Sequence, residues 1–126
     1  RACHMHGWNQ PSQISTIAAL NLKEHIDAEV TRCVFNDNQV ALRVRGPGSR
    51  GGAHVTVTDC AIYTTATAVR SEDKIEKLVL SGLAFGPGVG ERVAFHNGKA
   101  TAGYQSTGEH EAPPLESLLR DGFPAR

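Results

Sequence analysis

The stretch that decides the fold is Val30-Thr31-Arg32-Cys33-Val34-Phe35, because the chain writes it again as Val57-Thr58-Asp59-Cys60-Ala61-Ile62. A third, degraded copy is Leu80-Ser81-Gly82-Leu83-Ala84-Phe85, and the steps between copies are 27 and 23 residues. A second pattern interleaves with the first: Ala19-Leu20-Asn21, Ala41-Leu42-Arg43, Ala68-Val69-Arg70 and Ala94-Phe95-His96, at steps of 22, 27 and 26. Two patterns alternating at one period predict stacked turns of a single supersecondary unit.

Working outward from these copies, Ile26, Ala28 and Val30 alternate with a period of two, which puts their side chains on one face of a strand. The inward set resumes at Cys33 and Phe35, so Thr31-Arg32 must hold a bend that shifts the phase by one. The same shift falls at Thr58-Asp59. Strands bent at the same place in each copy are the corners of a coil. Asn36-Asp37-Asn38 supplies a further turn, since Asn and Asp tolerate left-handed backbone. The segment 46–52, rich in glycine, reads as a loop between strands, and Ser71-Glu72-Asp73-Lys74 as its shorter equivalent.

Phe35, Ile62, Phe85 and Met5 are expected to stack as an apolar ladder. Cys33 and Cys60 take equivalent places in successive copies and read as stacked thiols, a buried cysteine behaving as a small hydrophobe. Cys3-His4-Met5 extends that ladder thirty residues earlier if it aligns with Cys33-Val34-Phe35. Residues 6–15 are then an insertion, the kind of segment that carries specific function in stacked architectures. From Asn97 the pattern stops. Pro113 to Gly122 reads as a short helix, with prolines at its start and glycine at its end, and Leu115, Leu118 and Leu119 are expected to lie across the end of the stack. A disordered tail is the alternative.

The reading is therefore all-β, a parallel β-helix (solenoid) of about three to four coils over residues 1–97, with a C-terminal tail and short capping helix over 98–126. A small β-sandwich with coincidental spacing is the competing fold. With 126 residues the chain suits one domain. Arg rather than Met at position 1 and the absence of a signal peptide read as an excised piece of a longer chain. Thirteen basic residues balance thirteen acidic ones, which removes the electrostatic footprint of a nucleic-acid binder. No apolar run approaches the roughly 20 residues of a membrane span.

The repeated Val-Thr-x-Cys and Ala-aliphatic-Arg copies between Ala19 and Asn97 resemble the right-handed parallel β-helix superfamily, the pectate-lyase-like folds. That resemblance implies an extracellular or cell-surface protein acting on polysaccharide, as lyase or glycoside hydrolase, or a non-catalytic structural or adhesive segment such as part of a tailspike. The family's catalytic motifs do not carry over. Of the lyases' Arg-x-x-Pro-x-x-Arg, Pro47 and Arg50 are present but Val44 stands at the first position, and the hydrolases' Asn-Thr-Asp and Gly-His-Gly are missing. No catalytic residue and no cofactor is assigned. Asp59 reads as a corner residue pairing with Arg32.

The candidate binding residues are Asn21, Arg43, Arg70 and His96, each following an Ala-apolar pair and so expected to form one polar stripe on an outer face. Arginine offers a planar fork suited to carboxylate or sulfate groups. Trp8, the single tryptophan, lies in the insertion, where it either stacks on a sugar ring or folds back over the loop base. His4 and His6 flank Met5 and point outward if Met5 points in. A His-x-His pair can chelate a borderline metal, but further ligands are needed and none is assigned. The expected partners are a glycan surface and, through an open end of the stack, a second copy.

Overall fold

Each predicted copy forms strands that pair in parallel with the copy before and after it. A computed structural model describes residues 1–9, 18–23, 25–45, 52–72, 75–95, 98, 100 and 103–123. The strands are β1 (His4–His6), β2 (Leu20–Leu22), β3 (Asp27–Thr31), β4 (Val34–Val44), β5 (His54–Thr58), β6 (Ala61–Ser71), β7 (Lys77–Ser81), β8 (Ala84–Phe85), β9 (Val89–Phe95), β10 (Tyr104–Thr107) and β11 (His110–Glu111). One helix, α1 (Leu115–Asp121), follows. All pairings are parallel and make a seven-stranded sheet and a four-stranded sheet of order β10-β7-β5-β3. The architecture is a parallel β-solenoid of about three turns.

Two columns of left-handed backbone make the corners. At the first, Ala2, Arg32, Asp59, Gly82 and Gly108 have φ of 54°, 55°, 55°, 68° and 70°. The N–H groups of Ala2, Arg32, Asp59 and Gly82 donate to the carbonyls of Thr31, Thr58, Ser81 and Thr107, one coil on, at 2.8–3.0 Å. This is the phase shift read from Thr31-Arg32 and Thr58-Asp59: one residue of positive φ turns the strand without breaking the ladder. The second corner divides β4 and β6 in their middles, at Gly7, Asp37, Thr64 and Gly88, with φ of 86°, 57°, 43° and 80°. Thr64 is the exceptional member, since a β-branched residue rarely adopts positive φ.

Like residues meet like inside the coil. Met5 pairs with Phe35, Phe35 with Ile62 and Ile62 with Phe85, and Phe35 and Ile62 are fully buried. Val30, Val57 and Leu80 stack beside them. The cysteines are free and form the expected column: the Cys3 N–H points to Cys33 Sγ at 3.5 Å and the Cys33 N–H to Cys60 Sγ at 3.4 Å. Burial pushes the Cys60 thiol up to about 12, so it stays protonated and acts as packing.

Two expectations change. The repeat does not end at Asn97: β10 pairs with β7 and β11 with β8, which carries both sheets one further step. The helix forms where proline and glycine place it, but it does not lie across the end of the stack. Leu118 packs on Val34, Ala61, Tyr63 and Ala84, with Ala112, Leu115 and Phe123 around it. Val34, Ala61 and Ala84 are paired neighbours on successive coils, so α1 runs over a side of the solenoid. Leu119 stays 49% exposed. The loop predicted over 46–52 lies outside the described residues except for Gly52.

Candidate polar stripe and groove

The stripe is built by strand register. Asn21 pairs with Arg43, and Arg43 with Arg70, so the three side chains stand on successive coils. Neighbouring strands in a sheet are ~4.8 Å apart, close enough for each polar group to reach the next. Arg43 Nη1 lies 3.5 Å from Asn21 Oδ1, and Arg43 Nε donates to Glu72 Oε1 at 3.1 Å. Arg70 Nε reaches the same Glu72 oxygen at 3.0 Å. One carboxylate therefore ties two guanidinium groups, and exposure separates them: the Arg43 side chain is 7% exposed, Arg70 46% and Glu72 16%. Arg43 belongs to the wall, and Arg70 is the charge that solvent or a ligand meets.

Arg70 pairs with Ala94, and Ser71 with Phe95. The Ala94-Phe95-His96 copy is thus displaced by two residues from the Ala68-Val69-Arg70 alignment. His96 itself lies outside the described residues. The shift arises because β9 follows the tight Gly86-Pro87-Gly88 turn, where Gly88 takes the corner position opposite Thr64.

Where the stripe ends in Ala94, a groove of about 360 Å³ opens, lined by Thr67, Arg70, Ser71, Glu72, Glu91, Ala94 and Phe95. Its members come from β6 and β9, from both faces of the strands, and from the chain just after β6. Sequence reasoning missed Glu72, Glu91, Thr67 and Phe95 as a set. Glu91 is the register partner of Thr67, but that is visible only once the two-residue shift is known. The Phe95 ring is held edge-on to Tyr104, with centroids 4.9 Å apart. Ser71, completely buried, borders the groove with a hydroxyl that has no hydrogen-bond partner among the described residues.

Trp8 is held through its backbone by β4. Asn38, fully buried in β4, accepts the Trp8 N–H on Oδ1 at 3.2 Å and donates from Nδ2 to the Met5 carbonyl at 3.2 Å. Gln39 N–H donates to the Trp8 carbonyl at 2.8 Å. The backbone at the base of the insertion is thus clamped, while the indole is 55% exposed. The rest of the insertion, residues 10–15, lies outside the described residues.

A second groove, about 440 Å³, runs between the first corner and α1, with Arg32, Asp59, Gly82, His110, Leu118 and Phe123 among its lining. One member of its polar rim, Arg32, docks the C-terminal segment. Arg32 Nη2 donates to the Phe123 carbonyl at 3.3 Å, with the guanidinium 5.7 Å from the Phe123 ring centre. Both Arg32 and Asp59 are corner residues, as the sequence reading has them.

Among the described residues no group of three or more His, Cys, Asp or Glu could hold a metal ion, and no helix is long and apolar enough to cross a membrane. No protein-family model matches the chain, and neither a curated protein nor a solved structure does.

Proposed function

We propose that this chain binds polysaccharide on the outer side of the solenoid, with a sugar unit seated in the groove at Arg70. The observation that carries the reading is the composition of that groove. A guanidinium, two carboxylates and a threonine hydroxyl share about 360 Å³ with one aromatic wall, Phe95, within the ~300–1,000 Å³ of small-ligand sites. Sugars need that combination, since their hydroxyls both donate and accept while their C–H faces are apolar. Arg70 has its Nε–H committed to Glu72, and a guanidinium carries five N–H donors, so most of the fork remains for a ligand. The resemblance to pectate-lyase-like folds supports the same substrate class and an extracellular or cell-surface setting.

Binding without cleavage is the form of this reading. Glycoside hydrolysis uses two carboxyl groups on either side of the scissile bond, one delivering a proton. Glu72 and Glu91 line one groove, but Glu72 Oε1 accepts from two guanidinium groups, which gives that carboxylate a positioning role in this reading.

A second reading, a structural or adhesive solenoid segment, is favoured by the same cluster. Asn21, Arg43, Arg70 and Glu72 link three successive coils, and that alone gives them employment. Affinity electrophoresis against polygalacturonate, alginate and neutral glucans separates the two. The binding reading expects retardation by at least one polymer and a tenfold or greater loss in Arg70→Ala and Glu91→Ala. No retardation by any polymer, or retardation indifferent to both substitutions, leaves the structural reading.

A further inference from the structure

The His4 and His6 rings form a pair that neither the stripe nor the grooves use. Met5 between them packs against the core, so both imidazoles leave β1 on its outer side, where both residues are exposed. Pairing of β1 with β4 fixes their backbone: His4 stands opposite Val34 and His6 opposite Asn36. The ring centres are 4.6 Å apart and the planes 31° from parallel.

That separation fits a shared metal. A ring nitrogen ligates zinc at ~2.0–2.1 Å, which puts each ring centre about 3.2 Å from the metal, and a tetrahedral angle then sets two centres about 5 Å apart. The observed separation of 4.6 Å is close to that value.

Two ligands leave a four-coordinate ion half satisfied, and among the described residues no third His, Cys, Asp or Glu completes the set. We infer that His4 and His6 form half of a zinc-type site, completed by the same two histidines of a second copy, with the metal on the two-fold axis. An isologous contact of this kind uses one surface patch twice and closes at the dimer. The site sits on the side of the coil, so a dimer formed through it leaves the groove at Arg70 uninvolved.

The test is a zinc titration of the whole chain by calorimetry, with sedimentation velocity on the same samples. The expected result is half an equivalent of zinc per chain and a metal-dependent shift from monomer to dimer, reversed by chelator. His4→Ala and His6→Ala should each weaken binding at least tenfold and abolish the dimer. Cys3→Ala, which removes the nearest thiol in sequence, should leave both unchanged. Thermal melts without zinc show that each variant is folded. One zinc per chain on a monomer, binding that survives both histidine substitutions, or no binding at 100-micromolar-scale zinc overturns the inference.

Discussion

Two outer sides of this solenoid stand on the same core and have opposite fates. On one, the outward residues of successive coils are Val34, Ala61 and Ala84, and helix α1 covers them through Leu118. On the other they are Asn21, Arg43 and Arg70, and the groove beside Arg70 is open. A parallel coil has no spare polar face by default, because every strand has an inner and an outer side. Apolar residues outside demand a cover, whereas polar ones do not. The covered side therefore reports on stability, and the bare side is where a partner has room.

The largest expected effect lies beneath both sides. Phe35 is fully buried between Met5 and Ile62 in the inner ladder, and Phe35→Ala should cost ~3–5 kcal/mol in urea melts. A loss below about 1 kcal/mol would mean that the two sides do not share a packed interior.

Next is the cover itself. Leu118→Ala removes the one buried side chain of α1 and should cost about 2–3 kcal/mol, the lower part of the Leu→Ala range, because the cluster is small. Hydrogen exchange should show protection lost in α1 and retained in β4 and β6. Equal loss of protection everywhere would make the helix part of the core and dissolve the contrast. The covered side also requires glycine at 86, since a Cβ there would lie 2.2 Å from Tyr63 Cδ1, and Tyr63 is the residue that α1 packs on.

How much of this was legible in the sequence follows from which residues repeat. The copies at Val30, Val57 and Leu80 kept their inward apolar positions, so the offsets of 27 and 23 match the observed pairing of Val30 with Val57 and Val57 with Leu80. The weak Cys3-His4-Met5 alignment holds for the same reason, with Met5 opposite Phe35. The last coil was hidden because Tyr104-Gln105-Ser106-Thr107-Gly108-Glu109 has only Tyr104 as a large inward residue, and Glu109 stands where Cys60 and Leu83 stood. Its remaining signal was a hydroxyl residue before a corner glycine, Thr107-Gly108 after Ser81-Gly82. The groove was illegible because an Ala-apolar pair is too short a pattern to fix register: the Ala94 copy slips by two, and Glu91 then arrives beside Arg70.

A smaller effect sharpens how the cover is fastened. The Tyr63 hydroxyl donates to the Pro113 carbonyl at 2.5 Å, so Tyr63→Phe should cost about 1 kcal/mol. Burial raises the Tyr63 pKa. The neutral phenol is the form the fold favours, so its contribution is full below the ordinary value of about 10 and fades as pH rises through the raised one. The wild-type chain should lose stability on that alkaline limb, and the difference between it and Tyr63→Phe should narrow there. A difference constant from pH 8 to pH 11.5 would remove the phenol from the fastening.

The smallest effect belongs to the bare side and is the most discriminating for that reason. Arg70 is 46% exposed and shares Glu72 with the better buried Arg43. Removing it leaves Glu72 paired to Arg43 and opens no cavity in the core. Exposed ion pairs contribute ~0–1 kcal/mol and are screened by salt, so Arg70→Ala should shift stability by no more than about 0.5 kcal/mol, and less in 0.5 M salt. Arg43→Ala instead strips the buried one of the two guanidinium groups that hold Glu72 Oε1, so its loss should be larger and should persist in salt. If the two substitutions cost the same, the stripe is a uniform structural clamp, and Arg70 loses its claim to be held in reserve for a ligand.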